Sequence, residues 1–344
     1  MSSSVRITLK SKSPTRVDLA GGTLDMWPLY NFVGGATTIN IAVDIWTSAE
    51  ITLRFDKKVV ISSPDLKMLW EFNNLSDFFA ANDSQLEFYQ IIFSYFKIQL
   101  FKLKKGFEVV TTSQSPIGGG LGGSSSLTIS LLKVLHPLLN MPVPKVHKLV
   151  HLAHNIEAEM LRAPTGTQDY YPAITGGLSF IEYTAGKTKQ TSISLENTPF
   201  NNHFLLVYTG RSHHSGLNNF EVLKSAVGGD GEVISALRNI KLIAEELKVV
   251  IQNKEWDAIP ALYQREYAAR VRLTPAFTSP EIVKLSQICL AAGALAVKIC
   301  GAGGGGCVLV WVAPENRERV VLACQKENFQ CLNAKPVNLL KKII

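Results

Sequence analysis

Ser115-Pro116-Ile117-Gly118-Gly119-Gly120-Leu121-Gly122-Gly123-Ser124-Ser125-Ser126 runs without a break into Leu127-Thr128-Ile129-Ser130-Leu131-Leu132-Lys133-Val134-Leu135, a segment that reads as a helix. Glycines let the backbone come close to a ligand, and a helix N-terminus presents unpaired N–H groups and the positive end of a dipole. The loop therefore suits a polyphosphate. It lacks the Gly-Lys-Ser/Thr ending of a Walker loop, and no second strand completes a dinucleotide fingerprint. Phe107-Glu108-Val109-Val110-Thr111-Thr112 alternates as a strand and delivers the chain to the loop, so the local order is strand, loop, helix.

The 344 residues are 46% hydrophobic and 18% charged, enough for two domains with cores of their own. No apolar run reaches about eighteen residues, and Met1-Ser2-Ser3-Ser4-Val5-Arg6 lacks the apolar centre of a signal peptide, so a soluble, cytoplasmic protein with no membrane partner is expected. Cys289, Cys300, Cys307, Cys324 and Cys331 are an odd number, form no C-x-x-C pair and lie in apolar segments. They read as reduced core thiols rather than disulfides or a zinc site. The formal charge of +7 raises the question of nucleic acid, but lysines and arginines are spread along the chain. The densest cluster, Lys102-Leu103-Lys104-Lys105, reads as a solvated turn, and the excess charge favours a small anionic ligand instead.

Outward from the loop, Val5 to Leu9, Thr38 to Val43, Ala49 to Arg54 and Val59 to Ile61 alternate as strands, and a helix is expected from Gln85 to Phe96. Val146, Leu149, Val150, Ala153, Ile156 and Met160 recur at helical spacing up to the breakers Pro164 and Gly166. Gly177 to Tyr183 and Phe204 to Tyr208 read as strands, and the polar stretch 184–203 between them as a domain boundary. Helices are expected at Val233 to Gln252, Asp257 to Val271 and Pro280 to Ala292. Strands follow at Ala296 to Cys300, Cys307 to Val312 and Phe329 to Ala334. This order fits a sheet with helices stacked on one face.

Two further segments carry groups that phosphoryl transfer needs. Ser13-Pro14-Thr15-Arg16-Val17-Asp18-Leu19-Ala20-Gly21-Gly22-Thr23-Leu24-Asp25 is a strand entering a glycine turn with an arginine and two carboxylates. Lys298-Ile299-Cys300-Gly301-Ala302-Gly303-Gly304-Gly305-Gly306-Cys307 is a glycine string between apolar strands. Singly, each reads as a turn. Together with the opening loop, and in this order, they resemble the motifs of the GHMP kinases, the superfamily of galactokinase, homoserine kinase, mevalonate kinase and phosphomevalonate kinase. The family's P-x-x-x-G-L-G-S-S-A loop is similar to Pro116 to Ser126, and its late glycine motif to Gly301 to Gly306. Gly123 departs from the pattern by standing where the family has the first serine of the pair; Ser124 takes the second place.

The resemblance implies an α+β fold of two domains: an N-terminal ATP-binding domain of ribosomal-protein type over 1–195 and a ferredoxin-like C-terminal domain over 196–344, with the site between them. It implies transfer of the γ-phosphoryl group of ATP to a small-molecule alcohol, assisted by Mg2+. Pro116, Gly118, Gly119, Gly120, Leu121, Gly122 and Gly123, with Ser124, Ser125 and Ser126, would cradle the phosphates. Ser124 and Glu157 match the family's magnesium ligands, with Glu159 as the alternative if the register slips. Asp169 matches the base; its competing reading is a helix N-cap. Arg16 stands near the acceptor hydroxyl in the family, against the reading of a structural ion pair.

Asp25 is the discriminating residue. It lies where the sugar branch of the family carries an aspartate and the mevalonate branch an apolar residue, and an ionised carboxylate takes two strong hydrogen bonds from neighbouring hydroxyls. Gly21-Gly22-x-x-Asp25 and Gly166-x-Gln168-Asp169 resemble the heptose 7-phosphate kinases and fucokinases, which phosphorylate the anomeric hydroxyl. Gly22, Thr23, Tyr171, Gly303 and Gly304 are expected to join Asp25 around a sugar or sugar phosphate. Tyr208 to Ser215 is similar to the Thr-Gly-x-x-Arg region of those enzymes, with its arginine at another offset. His213 and His214 are sequence neighbours that point apart and so make poor co-ligands. Trp27, Tyr30, Tyr170 and Tyr171 read either as stacking platforms or as core. Adenine contacts are expected between Ser62 and Asn82. A mevalonate-type kinase and a catalytically idle sugar or nucleotide sensor are the rival readings. A monomer or homodimer without a nucleic-acid partner is expected.

Overall fold

The computed structural model describes residues 7–212, 215–301 and 303–341. Its first sheet has seven strands: β1 (Thr8–Ala20), β2 (Ala36–Leu53), β3 (Val59–Ser63), β4 (Met68–Phe72), β5 (Phe107–Ser113), β6 (Leu178–Thr184) and β7 (Lys187–Ile193). They run in the order β4-β3-β5-β2-β6-β7 with β1 paired to β2, and all pairs are antiparallel except β3 with β5. The second sheet, β11 (Gln330–Leu332), β8 (Phe204–Tyr208), β10 (Cys307–Val312) and β9 (Ala294–Ile299), is antiparallel in that order. The fold is α+β in two domains.

Two strands expected separately, Thr38 to Val43 and Ala49 to Arg54, are one eighteen-residue strand, β2. The intervening Asp44-Ile45-Trp46-Thr47-Ser48 keeps the alternation, and different partners use the two halves: β6 pairs with Ala36 to Ile41, β5 with Thr47 to Leu53. The register against β1 slips between Pro14 and Thr15, whose partners are Trp46 and Val43. Such irregularities re-aim side chains, and here the next residue is Arg16. The slip leaves Asp44 to the C-terminal segment, where its N–H donates to Lys335 O at 2.9 Å and its carboxylate accepts from Lys335 N at 2.6 Å.

The polar stretch 184–203, expected as a boundary, contains β7. Its residues are polar because it is the edge of the sheet, and most of its side chains remain exposed. A helix at Ser215–Val227 and the short strand β4 were missing from the sequence reading. The expected turn at Lys102 begins later: a helix runs from Lys97 to Leu103 and Lys104 closes it at φ 54°. His213, His214 and Ala302 lie outside the described residues, as does Val5.

One core packs Ile51, Val59, Val109, Phe93 and Phe107 against the helices Gly123–Leu138 and Val146–Leu161. The other is shared between the domains: Val17, Leu19, Ile39, Ile41 and Phe180 of the first sheet join Leu237, Ile240 and Leu247 of Gly231–Asn253 and the strands β8 to β10. All five cysteines are free, and only Cys331 is less than fully buried. No described helix is long and apolar enough to cross a membrane.

Candidate active site

A cleft of about 600 Å³ opens between the ends of β1 and β5, the glycine loop, the start of Tyr170–Thr175 and, from the second domain, Asn219 and Gly301. Its floor is the loop. Gly118, Gly120 and Gly122 have φ of 63°, 72° and 68°, while Gly119, Leu121 and Gly123 between them do not. This alternation turns successive N–H groups to one side, an anion-binding concavity. Helix Gly123–Leu138 follows with no side-chain cap and no acidic residue in its first turn, so its N-terminal N–H groups are free to meet phosphate. Two contacts brace the loop: Arg16 N donates to Leu121 O at 3.0 Å and Cys307 N to Gly119 O at 2.8 Å.

Asp169 stands at the N-cap of Tyr170–Thr175 but caps nothing with its side chain. Its Oδ1 accepts instead from Arg16, Nε at 2.8 Å and Nη2 at 2.6 Å. Arg16 Nη1 donates to Gly120 O at 2.5 Å, which leaves two of the five guanidinium N–H groups uncommitted beside the loop. The ion pair and the catalytic placement of Arg16 are thus one arrangement. Burial works against the Arg16 charge, but Asp169 and Asp18 outweigh it and hold the group firmly protonated. Gly122 is glycine for two reasons: its positive φ, and the 2.9 Å that would separate a Cβ from Asp169 Oδ2.

Glu157 is 7% exposed and accepts from three hydroxyls: Ser124 at 3.1 Å, Ser125 at 2.9 Å and Tyr170. Burial and the nearby Asp169 raise its pKa. Ser125 also reaches Asp169 Oδ2 at 3.4 Å, tying the two carboxylates together. Glu159 points elsewhere, to Tyr95 OH at 3.0 Å. A buried carboxylate facing a serine hydroxyl without a cationic partner is a donor set suited to Mg2+, which favours oxygen ligands and keeps several waters. No group of three or more His, Cys, Asp or Glu among the described residues could hold a metal by itself, so such a cation would need further oxygen ligands from outside the chain.

Asp25 is 5% exposed on the opposite wall, where its Oδ2 accepts from Gln168 N at 3.0 Å. A Cβ on Gly166 would lie 1.9 Å from that oxygen, so only glycine lets the loop close over it. Burial pushes the Asp25 pKa up to about 6, with Asp169 and Asp18 adding to the shift. Thr23 lines the cleft at φ 76°, a costly conformation for a β-branched residue, and donates to Asn219 Oδ1 at 3.1 Å.

Several expected contacts are elsewhere. Tyr171 is 5% exposed in the apolar core of the first domain, off the cleft wall, because the helix after Asp169 turns it inward. Tyr170 is likewise buried, with its hydroxyl on Glu157. Gly22 backs Asp18: a Cβ there would lie 2.2 Å from Asp18 Oδ2. Gly303 and Gly304 pack on the carbonyls of Phe277 and Ala276 and lie off the cleft wall, which the late glycine string reaches through Gly301. Ser126 bonds to Ser13 O and Pro14 O and fastens the helix to β1. Trp27 is 65% exposed outside the cleft. Ser63, Asp65, Leu66 and Met68 of the stretch expected near adenine do line it, joined by Gln85, Phe88 and Tyr89.

Beneath Thr23 lies a cluster the sequence did not reveal. Arg270 Nη2 meets Asp18 Oδ2 at 3.0 Å and pairs with Glu266, while Lys298 Nζ lies 3.2 Å from Glu266 Oε2 and 3.7 Å from Asp18 Oδ2. All four side chains are fully buried. Burial opposes ionisation of Asp18, but Lys298, Arg270 and Arg16 hold its pKa below the usual carboxylate range. Arg270 also reaches Thr23 Oγ1 and Gly301 O, each at 3.4 Å. Glu266 and Arg270 are four residues apart on a helix, a spacing that in sequence describes a surface pair equally well.

A glycine cradle, a buried arginine–aspartate pair and a hydroxyl-lined carboxylate together make a phosphotransferase site with an alcohol acceptor. Comparison with known proteins agrees. Residues 88–177 match the model of the GHMP kinases N terminal domain and residues 262–330 that of the GHMP kinases C terminal domain. The chain belongs to the GHMP kinases, whose phosphate donor is ATP. It is 26% identical to the D-glycero-alpha-D-manno-heptose 7-phosphate kinase of Campylobacter jejuni, over 93% of this chain and 94% of that one. It is 25% identical to a mevalonate kinase of Pyrococcus furiosus, over 86% and 88%. The crystal structure of a D-glycero-D-manno-heptose 1-phosphate kinase from Bacteroides thetaiotaomicron superposes with a TM-score of 0.76 at 20% identity, covering 97% of each chain.

Proposed function

We propose that the protein transfers the γ-phosphoryl group of ATP, with Mg2+, to the anomeric hydroxyl of a sugar or sugar phosphate. The observation that carries this reading is Asp25, a buried carboxylate on the cleft wall that accepts from a backbone N–H and has no ion-pair partner among the described residues. Hydroxyl donors satisfy such a group, and a polyol offers several of them beside the reacting one. The likeness to a heptose 7-phosphate kinase over nearly the whole chain supports the same acceptor class.

In this mechanism the acceptor O–H donates its proton to Asp169, the acceptor oxygen forms a bond to the γ-phosphorus, and the bond to the β,γ-bridging oxygen breaks with its electrons leaving on ADP. Arg16 aims Asp169, and its uncommitted N–H groups meet charge on the phosphoryl oxygens. Ser124 and Glu157 would hold Mg2+, which when bound neutralises charge on the β- and γ-phosphates. Asp25 fixes which hydroxyl faces the base.

The mevalonate reading draws on the near-equal identity to mevalonate kinases. An ATP-consumption screen with galactose, fucose, heptose 7-phosphate, glucuronate, inositol and mevalonate separates the two. Stimulation by a sugar is expected; stimulation by mevalonate alone would sink the proposal.

A further inference from the structure

Gln168 sits between the two carboxylates of the acceptor side. Its backbone N–H is bound by Asp25, and the next residue is Asp169. The side chain lines the cleft at 5% exposure, yet its Oε1 has no hydrogen-bond partner among the described residues. A buried amide oxygen left unpaired is costly, and folded proteins rarely keep one. Asn219 lines the same cleft and finds a partner in Thr23. The loop around Gln168 is not loose either, since Gly166 closes on Asp25 and Arg16 holds Asp169. The unpaired group is therefore built into a fixed frame.

Resting on the sugar-kinase reading above, we infer that Gln168 is a specificity-determining contact that pairs with a second hydroxyl of the acceptor, so that the site takes a polyol with at least two hydroxyls beside the one that is phosphorylated. The last torsion of glutamine is soft, so either end of the amide can turn to the cleft and accept from a hydroxyl or donate to one. Asp25 accepts from a neighbouring hydroxyl, and Asp169 faces the reacting one. A site built to pair with a hydroxyl rejects the analogue that lacks it, because its polar group then stays buried and unpaired.

Gln168→Met keeps length and volume and removes both hydrogen-bonding ends. With the sugar that the ATP-consumption screen selects, the variant is expected to lose about tenfold or more in kcat/KM for the acceptor, with KM for ATP within about twofold of wild type. Its Tm should not fall, since an unpaired buried amide has been removed. Single-deoxy analogues of that sugar complete the test: one analogue should be poor for wild type and no poorer than the parent sugar for the variant. A sugar phosphorylated equally well by wild type and variant overturns this inference alone. A lowered Tm with an unchanged preference among the deoxy analogues assigns Gln168 a structural role and also overturns it. A screen in which no polyol consumes ATP overturns both this inference and the reading beneath it.

Discussion

Asp169 and Asp25 are carboxylates in one cleft with opposite surroundings. Asp169 has a bidentate guanidinium on one oxygen, while Asp25 has a single backbone N–H and is otherwise buried. Asp169→Asn should lower kcat by about 10²–10⁴-fold while KM for ATP changes little, measured by coupled ADP release; wild-type turnover would exclude Asp169 as the base. Asp25 makes a pH prediction. Its pKa is raised to about 6 in the folded chain from 3.8, so the native state binds more protons than the unfolded state between those values, and stability falls as pH rises through that window. The penalty above pH 6 is about 3 kcal/mol. Asp25→Asn should therefore raise Tm at pH 7.5, leave it nearly unchanged at pH 3.5, and weaken the acceptor KM at least tenfold. Thermal melts at the two pH values check the first part; a Tm lowered at pH 7.5 would show that the ionised carboxylate is not strained by burial.

The glycine loop works as an element because its glycines are spaced for two demands, positive φ and close approach. Gly122→Ala adds a Cβ 2.9 Å from Asp169 Oδ2 at a φ of 68°. It should cost catalysis more than folding: a fall in kcat of about tenfold or more with a stability loss near 1 kcal/mol. Equal kcat in the purified variant would mean the base does not depend on the loop. The charge cluster behind Thr23 is the opposite case, an element-to-element joint between β1, the helix Ile259–Arg270 and β9. Arg270→Ala leaves Asp18 and Glu266 buried beside a single lysine and should cost about 3–5 kcal/mol by urea unfolding. A loss below about 1 kcal/mol would show that Lys298 alone satisfies both carboxylates.

At the scale of the molecule the second sheet has no core to itself. Residues of β1, β2 and β6 share one apolar cluster with Gly231–Asn253 and the second sheet, and the chain end returns to the first domain through Lys335, Val337 and Leu340. Far-ultraviolet dichroism and tryptophan fluorescence should report one coincident urea transition, and two separated midpoints would contradict the shared core. Removing residues 335–344 strips the partners of Asp44, Ala42, Gly177 and Thr175. It should lower that midpoint although the segment lies far from the cleft in sequence.

The glycine loop, its helix, the arginine strand and the carboxylates Asp25, Glu157 and Asp169 were legible in the sequence because each depends on a local feature: a run of glycines, a change of period, a motif at fixed spacing. The long helices of the second half were legible for the same reason, since their apolar stripes are read within one element. What stayed hidden depends on distance. Edge strand β7 was hidden inside a stretch that read as a domain boundary, because exposure, not loop geometry, makes it polar. Tyr171 and Gly304 lie next to site residues in sequence but face the core or a neighbouring turn. Arg270, Glu266 and Lys298 acquire their meaning only where two domains bury them against Asp18, and Gln168 only where packing leaves its amide without a partner. The sequence by itself determined that the chain carries a glycine loop built for an anion and a set of carboxylates beside it, since these follow from local backbone freedom and side-chain identity. Only the tertiary structure decided which of those groups line the cleft, because burial and pairing are set by contacts between segments far apart in the chain.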